Sequence, residues 1–262
     1  MKPMLIDFIG GLLIRFTGRL GGAAQMAWAA FVWMFRARIE YRQAFAQCVK
    51  IGVNSLPVTM LTSCFTGMVL ALQTGSTMKS IFNEPLFLGS IVSFALVKEL
   101  SPVLTAYVIA GRAGAAMTAE IGTMAVTDQI DALYTLGTNP IRFLVIPRYI
   151  ACLIMIPLLT VFADFCGVLG GFFVAAVRLD VASATFYDEI FTYMKVTDFM
   201  HGYIKSYLFA FAIATVCCFM GLTTKGGAEG VGKSTTAAVV VSMVMILMLD
   251  YFASALLIMV GI

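Results

Sequence analysis

Five uninterrupted apolar stretches, each near the length a helix needs to cross a bilayer, constrain this chain more than any other feature. They run from about residue 51 to 72, 86 to 110, 149 to 177, 204 to 222 and 237 to 262. A spanning helix takes about 20 residues and a spanning strand about 10. The stretches are continuous rather than alternating with period two, which argues against a barrel. The charge content agrees: 12% of the 262 residues are charged and 61% hydrophobic, whereas a soluble domain carries roughly 25% charge. So little charge cannot cover a water-facing surface. The expected fold class is an all-α integral membrane protein with about five transmembrane helices.

The first 50 residues differ in character. They hold Lys2, Arg15, Arg19, Arg36, Arg38, Arg42 and Lys50, seven of the seventeen basic residues. Leu5, Ile6, Phe8, Ile9, Leu12, Leu13 and Phe16 follow helical spacing, which predicts an amphipathic helix lying on an anionic leaflet. The stretch from Leu20 to Phe35 is apolar but short for a span, so a second interfacial or partly inserted helix is expected there. If it crosses, the topology shifts by one. Two parts follow: an interfacial N-terminal segment, 1–50, and a five-span permease domain, 51–262. The start at Met1-Lys2-Pro3 lacks a short apolar core with a cleavage site, so no signal peptide is expected.

Basic residues in the loops set the orientation. With the N-terminus cytoplasmic, the inside segments add Arg112, Arg142, Arg148, Lys225 and Lys233 to the first seven. Only Lys79, Arg178, Lys195 and Lys205 then fall outside, in loops that also carry Asp180, Asp188, Glu189 and Asp198. An N-in, C-out arrangement is expected. No internal repeat is visible, and an odd span count argues against the inverted-repeat plan of many secondary transporters.

Several chemistries are disfavoured. The six cysteines form no CxxC pair and five lie in apolar runs, which suits packed thiols rather than disulfides or zinc. His201 is the single histidine, so no metal site and no histidine-based catalysis are expected. Gly227 to Ser234 fits the G-x4-G-K-[ST] phosphate-loop pattern, but that motif works between a strand and a helix of a soluble α/β domain. Here apolar spans flank it, and it is read as a glycine-rich cytoplasmic turn with Lys233 facing lipid headgroups.

Lys98, Glu99, Asp164 and Asp250 fall inside apolar spans. Such residues cost at least a few kcal/mol each and normally face a bundle interior or a wet cavity. Three readings stay open: an interhelical clamp, for instance Lys98 with Asp250 or Asp164; a polar lining for a lipid-headgroup cavity; or a proton relay. Pro57, Pro102 and Pro157, one in each of the first three spans, predict kinked helices. Gly111, Ala115 and Ala119, and Gly167 with Gly171, recur every four residues and permit close helix approach.

The long loop from Gly111 to Arg148 contains a helix start at Thr127-Asp128 and a stop at Gly137 and Pro140. Ile130, Leu133 and Tyr134 give the short helix between them an apolar edge, and acids sit in its first turn. It either closes the bundle or docks on a cytoplasmic partner.

Lys98-Glu-Leu-Ser-Pro-Val, Ala110-Gly-Arg-Ala-Gly, Ala119-Glu-Ile-Gly-Thr-Met, Thr127-Asp-Gln-Ile-Asp, Asn139-Pro-Ile-Arg, Gly226-Gly-Ala-Glu-Gly and Leu249-Asp-Tyr-Phe occur in order. Together they resemble the MlaE (YrbE) permeases, the membrane subunits of lipid ABC transporters that work with MCE-domain proteins. The resemblance covers most of residues 51–255. It implies a homodimer in the bacterial inner membrane, with cytoplasmic ABC ATPase subunits that hold ATP and Mg, a periplasmic MCE-domain protein, and phospholipid as cargo moved between the inner membrane and the periplasm or outer membrane. The N-terminal segment would be an elbow helix. The short loop helix would be a coupling helix, with Glu120, Thr127, Asp128 and Asp131 meeting the ATPase. Lys98, Glu99 and Asp250 would line the lipid cavity. The chain itself would have no catalytic residue, bind no cofactor or metal, and meet no nucleic acid. Lys98-Glu99 departs from the family's Arg-Glu pair: lysine keeps the charge but not the planar fork. Two other classes remain: a proton-coupled transporter using Glu99, Asp164 or Asp250, and a structural scaffold.

Overall fold

The computed structural model describes residues 2–36, 40–82 and 87–260 and contains no strand among them. Helix α1 covers Lys2–Arg36, and α2 covers Tyr41–Ile51. A 3-10 turn leads from α2 into α3, Leu56–Phe82. Helix α4 runs Leu88–Val126, α5 is the short Gln129–Thr135, and α6 runs Ile141–Arg178. Helix α7 covers Ser183–Tyr193, α8 Val196–Leu222 and α9 Gly227–Val260. Five segments are long and apolar enough to cross a membrane: α2 with α3, α4, α6, α8 and α9. The chain is the expected five-span, all-α protein.

Several boundaries differ from the hydropathy reading, and in each case the helix is longer. Residues 111–126, expected in a loop, continue α4 to Val126. Helix α8 starts at Val196, which moves Lys205 from an outside loop into the middle of a helix. Hydropathy ends a span at the first charges, but a helix continues wherever those charges find partners inside the bundle. The glycine-rich segment is likewise not a turn. Gly226 and Gly227 take positive φ values of 94° and 64°, and from Gly227 onward the chain is helix α9. Lys233 is exposed and pairs with Glu229 at 2.6 Å. The stretch 20–35 is no separate helix: it is the second half of the 35-residue α1. The side chains of Lys2, Arg15, Arg19, Arg36, Arg38 and the apolar set from Leu5 to Phe16 lie outside the described residues.

The core is organised around α6, which packs against α2, α3 and α8. Tyr149, Ile156 and Leu159 of α6 meet Ile121 of α4 and Phe209, Ile213 and Cys217 of α8 in one buried cluster. A second cluster joins Leu88, Val92 and Leu96 of α4 to Ala175 of α6 and Phe186 of α7. Helices α3 and α6 cross at backbone contact. A Cβ on Gly67 would collide with the Gly167 carbonyl, and one on Gly170 with the Cys64 carbonyl. Ser63 Oγ donates to the Ala163 carbonyl at 2.5 Å across the same crossing. The glycine spacing at Gly167 and Gly171 thus serves packing within one chain.

Pro57 sits in the first turn of α3, where a missing N–H is harmless, directly after the 3-10 turn Val53–Ser55 that joins α2 to α3 within the first span. Pro102 follows a π-helical turn at Leu96–Leu100, and Pro157 lies inside α6. A second π turn, Ala110–Gly114, continues α4, and a third, Ile141–Val145, opens α6.

Gly170→Val forces backbone apart at the α3–α6 crossing and should destabilise the fold by about 1–3 kcal/mol, the range for overpacking. Thermal unfolding in mild detergent should show a lower midpoint than wild type. Gly18→Ala, with open space at its Cβ, should leave the midpoint at or above the wild-type value.

Candidate functional site

Lys205 of α8 is completely buried, and a buried ammonium persists only with partners. It has three. Nζ lies 2.6 Å from Glu99 Oε2 and 3.0 Å from Asp250 Oδ1, and it donates to the Lys98 carbonyl at 3.2 Å. The third contact follows from the local sequence. Pro102 is four residues beyond Lys98 and has no N–H to return to that carbonyl. The π turn at Leu96–Leu100 loosens the same stretch, and π turns recur at functional positions. The ammonium occupies the acceptor that the proline leaves.

Glycine makes the approach possible. Gly202, three residues before Lys205, packs directly on the Val97 carbonyl, where any Cβ would collide. Helix α8 thereby comes close enough to α4 for a lysine to reach its backbone. From α9, the Ser254 hydroxyl lies 2.8 Å from the Asp250 carbonyl and 3.2 Å from Glu99 Oε1. Three spans are tied at one point. Glu99, Lys205 and Asp250 each lie about ten residues, ~15 Å, from the same end of their helices, inside segments long and apolar enough to cross a membrane.

The cluster is not sealed. Lys205 has no exposure, but the Glu99 side chain is 44% exposed and that of Asp250 20%. Lys98 points elsewhere. It pairs with Asp198 at 2.7 Å, and its Nζ stands 5.7 Å from the centre of the Phe94 ring. Asp198 Oδ2 also accepts the Lys195 N–H at 2.9 Å, which fixes the start of α8. The clamp envisaged from sequence, Lys98 with Asp250 or Asp164, is therefore corrected. Lys205 is the cation for Asp250, and Lys98 takes an acid that hydropathy had assigned to a loop. Asp164 makes no ion pair among the described residues and has Ser101 of α4 as its polar neighbour.

Sequence reasoning missed Lys205 and Asp198 as site residues. Both lie in a stretch with enough polar residues to look like a loop. One signal was available: Lys205 follows Asp198 and His201 at helical spacing, on the side of α8 that also bears Gly202.

At the opposite end of the bundle a second charged group joins three helices. Glu120 of α4 accepts from Lys50 of α2 at 2.9 Å and from Arg148 of α6 at 2.9 Å. Arg148 is 5% exposed and also donates to the Leu144 carbonyl at 2.7 Å. Glu120 thus belongs to a joint under the short helix rather than to the helix itself. Thr127 closes α4: its Oγ1 donates to the Thr123 carbonyl at 2.8 Å and accepts from Gln129 Nε2 at 3.1 Å. Asp128 has φ 58° and turns the chain into α5. Ile130 and Leu133 pack into the core. Asp128, Asp131, Tyr134 and Leu136 are exposed, so the expected apolar edge at Tyr134 faces outward.

Removing the cation from the buried triad leaves two carboxylates facing each other. Lys205→Met should cost about 3 kcal/mol by analogy with broken buried pairs, lessened by the partial exposure of Glu99. The yield of folded protein should drop for Lys205→Met and recover partly in Lys205→Met/Asp250→Asn. Equal loss in both variants would show that the ion pairing is not what holds the three helices.

The comparisons with known proteins fit this architecture. The family model described as Permease MlaE matches residues 44–256. A probable ABC transporter permease protein from Rickettsia felis is 39% identical over 96% of this chain and 97% of its own length. A protein of the same description from Synechocystis is 39% identical over 90% of this chain and 89% of its own. One from the alga Porphyra purpurea is 43% identical over 74% of this chain and 73% of its own.

Proposed function

Because this chain belongs to the MlaE family of ABC transporter permeases, which are multi-pass membrane subunits generally without catalysis of their own, we propose that its cargo is phospholipid. A permease of this class works with an ATPase partner. In the proposed assembly two copies of this chain form a homodimer in the bacterial inner membrane, with the N-terminus cytoplasmic and the C-terminus periplasmic. Cytoplasmic ABC ATPases hold the ATP and Mg, and a periplasmic MCE-domain protein receives or delivers the lipid. Residues 1–50 form the interfacial elbow and 51–262 the permease domain.

One observation carries the reading: Glu99, nearly half exposed within an apolar span and backed by a buried Lys205 and by Asp250. A charge there is stable beside a polar cavity and expensive against acyl chains. In the proposed dimer, a cavity beside Glu99 and Asp250 suits a phospholipid headgroup drawn into the membrane interior, while Lys98 is engaged by Asp198. Much of α9 is apolar and uncovered in the single chain, Leu247, Tyr251, Phe252 and Leu256 among its exposed residues, which supports a second copy across the cavity.

The coupling path runs through the other charged joint. Helix α5 with Asp128 and Asp131 meets the ATPase, Thr127 fixes its angle, and Glu120 passes its displacement to α2 and α6 through Lys50 and Arg148. Closure of the ATPases shifts α4 relative to α6 and changes the space beside Glu99. The chain supplies no nucleotide site and no metal site in this mechanism. A proton-coupled mechanism is the second reading. Among the described residues Asp164 forms no ion pair with the Glu99–Lys205–Asp250 group, which leaves it a sparse relay.

Glu99→Gln should give normal amounts of folded complex but at least tenfold slower ATP-dependent lipid transfer between liposomes and acceptor protein. Wild-type transfer by this variant, or transfer that persists without the ATPase and stops when the proton gradient collapses, would defeat the ABC lipid mechanism. Copurification in mild detergent should return an ATP-hydrolysing subunit and glycerophospholipid.

A further inference from the structure

A second place for lipid lies away from the charged cluster. Between α1, α8 and α9 runs an apolar crevice of about 550 Å³. Ala23, Ala24 and Ala27 of α1 leave the space, and Leu208 to Met220 of α8 and Val241 to Leu249 of α9 form its other walls. Its polar side chain, Thr215, is already occupied: the hydroxyl bonds the Phe211 carbonyl at 2.7 Å and meets the Tyr149 hydroxyl at 2.7 Å. Nothing in the walls asks for a polar ligand.

Shape and charge choose the occupant. Thirteen residues of α8, from Leu208 to Met220, span ~18 Å at ~1.5 Å per residue. Apolar side chains line the crevice along that length, which suits an acyl chain lying beside α8, and a cation at one end of it suits a lipid phosphate rather than an apolar helix of a second copy.

The crevice ends in a polar pocket of about 290 Å³ that shares Phe219 and Met220 with it and is completed by Thr223, Lys233, Ser234 and Ala237. Lys233 lies in the pocket wall with its side chain 77% exposed, and the Ser234 hydroxyl makes no hydrogen bond among the described residues. The Lys233–Glu229 pair is an exposed i,i+4 pair, weak because water screens it, so the ammonium is free to turn to a stronger anion. At its other end the crevice reaches Leu208 and Leu249, one helical turn from Lys205 and next to Asp250.

We propose that the α1–α8–α9 crevice and the Lys233–Ser234 pocket together bind one phospholipid of the leaflet at the Lys233 end, phosphate on Lys233 and Ser234 and one acyl chain in the crevice. The site is a lateral intake that leads towards the Glu99–Lys205–Asp250 cluster. This role as an intake rests on the lipid-cargo reading. Occupancy of the site does not.

Photolabelling tests it with the full chain in nanodiscs, without ATP, using phosphatidylglycerol that carries a diazirine at mid-chain. Peptide mapping should find labelling at Ala24, Ala27, Phe219 or Met245 at least fivefold above labelling of exposed α3 residues Phe65 and Val69. Ala24→Phe should reduce the crevice labelling at least fivefold and leave the α3 labelling unchanged. Lys233→Glu, an exposed change that spares the fold, should reduce it about threefold. Crevice labelling no higher than on α3, or insensitive to both variants, would reduce the site to ordinary bilayer contact and overturn the proposal. Labelling as expected in a complex that transfers no lipid would sink the cargo reading while the site stands.

Discussion

The structure turns on an ammonium with no access to water. Lys205 is tolerable inside an apolar bundle because three acceptors from two other helices converge on it. One of these is a main-chain carbonyl made available by Pro102. Low dielectric makes this demand strict: an unpaired charge at that depth costs several kcal/mol. The demand is met only if α4, α8 and α9 keep one relative height. The ion cluster therefore acts as a register pin for three spans that otherwise meet through non-directional apolar contacts, which slide easily in lipid. Gly202 against the Val97 carbonyl sets the distance at which the pin engages.

The same logic operates at the other end of the bundle, with a different outcome. Glu120, Lys50 and Arg148 join α4, α2 and α6, but Lys50 and Glu120 are substantially exposed. The Lys50–Glu120 pair is therefore weak and exchangeable with water, whereas the buried Arg148 keeps Glu120 as its partner. Helix α4 is thus held at two heights, by a buried pin at the first and a more exposed joint at the second. The π turn at Leu96–Leu100 carries the pin residues Lys98 and Glu99 themselves, and the one at Ala110–Gly114 lies between the pin and the joint, where a change in helix winding would be least costly.

Sequence reading captured the number of spans, the absence of strands and the two regions where charge enters the apolar run. Those depend on length and hydropathy, which are local. It missed the beginning of α8 and the end of α4, because Asp198, Lys205, Arg112 and Glu120 look like loop residues until their partners are known. Lys205 acquires its meaning from Glu99 and Asp250, about a hundred residues before it and forty-five after. Pairing of that kind is a tertiary fact. The glycine-rich run at 226–232 failed for another reason: only Gly226 and Gly227 use positive φ, and the remaining glycines are helical, where their role is space rather than turning.

Lys98 shows how far adjacency in sequence can mislead. Lys98 and Glu99 read as a pair, yet successive residues on a helix point about 100° apart. Their partners, Asp198 and Lys205, sit on α8 seven residues apart, two turns along one face of that helix. Two cross-helix bridges of opposite polarity result, Lys98 to Asp198 and Glu99 to Lys205, with the acid on α8 in one and the base in the other. This antisymmetric arrangement penalises any shift of α8 along α4, since sliding by two turns would set Lys98 against Lys205. Like charges meeting in a low dielectric make that register prohibitive. A lysine at position 98 suits this role, because a monodentate contact to Asp198 Oδ1 needs charge and reach, not a planar fork.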